Sequence, residues 1–146
     1  MRQGIWMAPL VRFVALVVWV GGAVFTGAVA VPLAFALLPA GDAGAYTAAL
    51  FRAVGWVSLP AAALYLFAGD APSRRGPRLW LTLAAVLLFA AAVFGGGAAM
   101  EAVREAQGPG QVPGWLHRVA SAGYVAATLC ALALVWLEAR AGRASR

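Results

Sequence analysis

The chain has 146 residues, of which 64% are hydrophobic and only 11% charged, with a formal net charge of +6 and a mean hydropathy of +0.86. A soluble domain is about half apolar and about a quarter charged, so this chain has too few charges to cover a water-facing surface and reads as a single membrane domain over 1–146. The lone Cys130 excludes an intrachain disulfide and any paired-cysteine redox or zinc motif. All basic residues are arginines, spread over tails and loops with no aromatic–basic surface, which excludes a nucleic-acid partner. Arginine without lysine, with abundant Ala, Gly and Pro, points to a GC-rich bacterial genome.

Four apolar runs follow in chain order, at about 10–38, 45–68, 79–100 and 115–138. Each reaches the roughly 20 residues a helix needs to cross about 30 Å of hydrocarbon. None alternates as a barrel strand does, so the expected fold is all-α, an integral membrane four-helix bundle. The first run holds the glycines of WVGGAVFTG and a small-residue ridge, Gly22-xxx-Thr26-xxx-Ala30, suited to close crossing. Its Ala28-Val29-Ala30 resembles a signal cleavage site, but the apolar run continues well past it, and a retained helix is expected. Pro32, and Pro60 in the second run, should kink their helices.

Along the second run Phe51, Gly55, Ser58, Ala62 and Tyr65 share a face, a packing seam with hydroxyls that can bond across it. Arg52 lies about two turns inside that run, where it needs snorkelling or a carboxylate partner. The third run carries the ridge Ala91-xxx-Gly95 and a glycine triplet that lacks the strand and lysine of a phosphate loop. On the fourth, His117, Ser121, Tyr124 and Thr128 recur in steps of four, three and four, one face of a helix turned towards the bundle interior.

Arginine alternates sides. Arg2, the loop with Arg74, Arg75 and Arg78, and the tail with Arg140, Arg143 and Arg146 fall on one side. The loop with Asp42 and that with Glu101, Arg104 and Glu105 fall on the other. The positive-inside rule therefore puts both termini in the cytoplasm of a bacterial inner membrane crossed four times. On that topology Arg52, Glu101, Arg104, Glu105, His117 and Arg118 gather at the outer face, and with Ser121 and Tyr124 they form the candidate polar site. Interfacial anchoring is the plainer role for the same residues. Gly22, Thr26, Gly55, Ser58 and Gly95 are the candidate helix-packing positions.

His117 is the only histidine. A bis-histidine haem is therefore excluded within one chain, and a His–Met pair would need Met100. Copper could draw on the same pair, but Met7 belongs to the opposite side and Cys130 points off the stripe. Ser121 shares a helix face with His117 without a third member of a hydrolytic set. No catalytic residue, metal or cofactor is expected.

Three stretches resemble the DUF4149 family and the related TMEM205-like membrane proteins: Phe25 followed by VPLAFALLP (31–39), ALFRAVGWVSL (49–59) and WLHRVASAGY (115–124). The resemblance implies a four-helix membrane bundle and little biochemistry. Where that family often carries an asparagine deep in the last helix, this chain has Ala or Thr. The stretch VRFVALVVWVGGAVF (11–25) is also similar to the first helix of copper-resistance-D-like membrane proteins, whose histidine position is here Arg12.

Three functional readings follow. The first is a non-enzymatic membrane bundle, freestanding or an accessory subunit, with the lipid bilayer and other membrane subunits or further copies as partners. The second is a small transporter or solute-binding protein with an outer-facing polar vestibule. The third is a haem- or copper-binding protein like the copper-resistance-D group.

Overall fold

A computed structural model describes residues 4–68, 76–108 and 112–144, so Arg2, Arg74, Arg75 and Arg146 lie outside the described residues. The elements are α1 (Gly4–Phe25), a π-helical turn (Thr26–Ala30), α2 (Val31–Leu37), α3 (Ala40–Phe67), α4 (Pro77–Ala90), a second π-helical turn (Ala91–Gly95), α5 (Gly96–Gln107) and α6 (Gly114–Ala144). No strand occurs among the described residues. The π-turns join α1 to α2 and α4 to α5. Four helices long and apolar enough to span a membrane result: Ala8–Leu37, Gly41–Phe67, Pro77–Gln107 and Gly114–Ala141.

Local chemistry sets the breaks. Val31 N–H reaches five residues back to the Thr26 carbonyl, so the widened turn comes directly before Pro32. A proline in mid-helix lacks a donor and clashes with the carbonyl four residues earlier; the wide turn lets Pro32 fall in the first turn of a resumed helix, where neither matters. Pro39 caps α3, whose first turn holds Asp42 against the positive helix end. Gly76, at φ 75°, turns the chain into Pro77 at the start of α4.

The third span runs past Met100, where the apolar run ends, to Gln107. The segment after Met100 is made of good helix formers, Glu, Ala, Arg and Gln, and Arg104 donates to Glu101 one turn back at 3.1 Å. Gly108, at φ 94°, ends it. Glu101, Arg104 and Glu105 therefore sit on the last turns of a helix, whereas polarity alone assigned them to a loop.

Packing joins α1 to α3 and α4 to α6 as two antiparallel hairpins, with α1 against α6 and α3 against α4 closing the bundle. Two clusters fill it. One surrounds Leu16, Trp19, Tyr65, Ala85 and Leu134; the other surrounds Ala23, Phe89, Val93 and Tyr124. Outside, Phe13, Trp56, Leu87 and Leu129 are each at least 60% exposed, a pattern water would penalise and lipid would not.

Candidate functional site

The polar side chains that meet inside the bundle do so at the end of the arginine loop and tail, called here the basic end. Arg12 stands four residues into the first span and Glu138 three residues before the end of the fourth. At 1.5 Å per residue both are only about 5–6 Å from the rims of their spans. Arg12 donates from Nη2 to Glu138 Oε1 at 2.6 Å. The Tyr65 hydroxyl donates to the same oxygen at 2.8 Å and lies 3.5 Å from the Arg12 nitrogen. The Arg12 guanidinium also sits 5.0 Å from the Tyr65 ring centre, within cation–π range. Arg78 completes the group, its Nε 3.1 Å from Glu138 Oε1 as an ion pair. Thr82 donates to the Arg78 carbonyl at 2.8 Å, one turn along α4.

These residues come from all four spans: Arg12 and Tyr65 from one hairpin, Arg78 and Glu138 from the other. The side chains of Arg12 and Glu138 are 15% and 28% exposed, so water screens the pair only partly. Charge-assisted bonds that converge on one carboxylate oxygen in this setting are about twice as strong as neutral ones. The cluster ties the hairpins together at the basic end.

The candidate polar site of the opposite, far end is differently placed. Arg52, Glu105, His117, Arg118 and Ser121 are exposed, and among the described residues none of their side chains makes a hydrogen bond or ion pair. Glu101 and Arg104 pair with each other in the open, at 41% side-chain exposure for the arginine and 62% for the glutamate. Tyr124 alone turns inward. Its hydroxyl donates to the Ala23 carbonyl at 2.7 Å, and its ring packs against Phe51 at 4.8 Å and Phe89 at 5.3 Å. Thr128, next on the stripe, donates to the Tyr124 carbonyl at 2.9 Å. Thus the stripe His117–Ser121–Tyr124–Thr128 divides: its first half faces outward and its second half packs.

Tyr124→Phe is expected to lower stability by about 1–2 kcal/mol, because the Ala23 carbonyl loses a buried donor while the ring contacts remain. Thermal unfolding in detergent reads the change, and an unaltered midpoint would show that the bond adds nothing.

The packing positions are also resolved. Gly55 and Ser58 are buried, as is Thr26. A Cβ on Gly22 would meet Val54 at 3.9 Å, whereas one on Gly95 would meet nothing within 4 Å. The close contact beside Gly95 belongs to Gly96, opposite Ala120, with Gly123 opposite Ala92.

Arg12 and Glu138 were missed as partners because they are 126 residues apart and each reads alone as a membrane-rim charge. A signal existed: alternation of the spans brings Arg12, Tyr65, Arg78 and Glu138 to one end. Among the described residues no three His, Cys, Asp or Glu side chains gather in a way that could hold a metal.

The pattern of the DUF4149 family, a domain of unknown function, matches residues 14–109. No curated protein and no solved structure matches the chain. A match over well more than half the sequence, on a chain with four span-length helices, makes this protein a multi-pass membrane member of the DUF4149 family.

Proposed function

We propose that this protein is a non-enzymatic membrane bundle that acts as a structural or accessory subunit in a bacterial inner membrane, with both termini in the cytoplasm. The carrying observation is an open apolar groove beside the second π-turn. Its floor and walls are Ala91, Gly95 and Ala99 on one side and Leu116, Val119 and Ala120 on the other. Small residues spaced four apart let a neighbouring helix approach closely, and Gly95 has nothing of its own chain against it. The arginines of the basic end set the orientation under the positive-inside rule.

A ligand-binding interior has less support. Trp19, Tyr65, Phe89 and Leu134 fill the centre at no more than 2% exposure each. Arg12, standing where the copper-resistance-D-like proteins carry their histidine, is engaged by Glu138 and Tyr65.

The test places a single cysteine at Val119, on the wall of the groove opposite Gly95, in a Cys130→Ala background and crosslinks it in the native membrane. Adducts to a second, different polypeptide are expected. Self-crosslinks alone would replace the accessory role by self-association, and no adduct at all would sink the reading.

A further inference from the structure

Exposed tryptophans mark two levels along α6, while Phe25 and Trp56 face outward at mid-span on other helices. On α6, Trp115 and Trp136 are 58% and 53% exposed; twenty-one residues apart, they are separated by about 32 Å along the helix. That spacing matches the hydrocarbon thickness, and such rings collect at its two boundaries. Trp136 therefore lies at the boundary of the basic end, and Arg140, one turn further, projects at the level of lipid headgroups.

Arg140 is held there. Its guanidinium carbon lies 3.7 Å from the centre of the Trp136 ring, a close cation–π contact. A ring contact of this kind uses none of the guanidinium N–H donors, whose planar fork matches a phosphate. Among the described residues the Arg140 side chain has no carboxylate or other hydrogen-bond partner. At the far end Arg118, three residues from Trp115, is exposed without such a ring contact.

We propose that Arg140, against the Trp136 ring, is a binding site for the phosphate of an anionic phospholipid, with the acyl chains lying along the apolar face of α6. A zwitterionic lipid offers the same phosphate but brings its own cation to a positively charged rim, so the site should prefer a lipid with net negative charge. The proposal does not depend on the subunit role: a freestanding bundle would carry the same site.

The experiment is native mass spectrometry of the full chain in detergent with equal amounts of phosphatidylglycerol and phosphatidylcholine. Wild type is expected to retain phosphatidylglycerol preferentially. Arg140→Gln should reduce that preference about fivefold, the effect of one basic residue at an anionic surface. Arg140→Lys should give an intermediate value, since it keeps the charge but not the planar fork. Trp136→Leu should fall with Arg140→Gln, because the ring that presents the arginine is gone while apolar anchoring stays. Arg118→Gln is the control and should match wild type. Equal retention of both lipids by wild type, an equal loss in Arg118→Gln, or a Trp136→Leu variant with full preference would each overturn the site. So would displacement of the lipid by excess glycerol 3-phosphate, which would make it a site for soluble anions.

Discussion

Glu138→Ala is expected to cost the bundle about 2–3 kcal/mol, below the 3–5 kcal/mol typical of breaking a fully buried ion pair because this one is partly open to water. For a chain of this size that is a fall of about 5–10 °C in Tm. Two donors, from Arg12 and Tyr65, and the ion-paired Arg78 converge on one oxygen of Glu138. Removing the carboxylate therefore leaves two guanidinium groups facing each other near the apolar slab. Glu138→Gln keeps an acceptor but no charge and should fall between. Tyr65→Phe removes one donor of the set and should cost about 1 kcal/mol.

Thermal unfolding followed by circular dichroism in a mild detergent measures these changes. A double-mutant cycle of Arg12→Gln with Glu138→Gln separates their mutual interaction from independent losses. A coupling energy near zero, or a Glu138→Ala midpoint equal to wild type, would mean that the cluster is a surface arrangement with no hold on the hairpins.

Legibility in the sequence follows the range of the interaction involved. The four spans were legible because the bilayer imposes a length and a composition that each segment must meet by itself. The buried seam Gly55–Ser58–Ala62–Tyr65 was legible too, as a helical period within one span. The extension of the third span to Gln107 was not, because hydropathy falls at Glu101 while helix propensity does not. The charges at the basic end were legible as a signal of topology but not as a cluster. Whether Arg12 snorkels to water or turns inward depends on a tyrosine one span away and a glutamate three spans away. The same holds at the far end, where a four-three-four stripe predicted one inward face. Tyr124 packs and His117 does not: α6 lies close to its neighbours from Ala120 and Gly123 onward, where Gly96 and Ala92 face it, while His117 is exposed.

Gly96→Ala is expected to destabilise the bundle by about 1–3 kcal/mol, although in an ordinary helix the same change would stabilise by roughly 0.5–1 kcal/mol. The backbone there, φ −62° and ψ −41°, is one alanine adopts freely, so the penalty comes from space alone. A Cβ on Gly96 would lie 2.9 Å from the Ala120 Cβ. Ala120 has no rotamer to change, and relief requires α5 and α6 to move apart. Gly55→Ala meets the Phe94 ring tip at an equal 2.9 Å, but that ring can swing, so a smaller loss is expected. Gly95→Ala meets nothing within 4 Å and should be neutral or stabilising in the isolated protein. The order of Tm values should be Gly95→Ala highest, then Gly55→Ala, then Gly96→Ala. If Gly96→Ala melts at or above Gly95→Ala, the helices do not cross at Ala120. If Gly95→Ala keeps its Tm in detergent yet loses the crosslinks formed from that face in the membrane, the same glycine serves a neighbour and not its own fold.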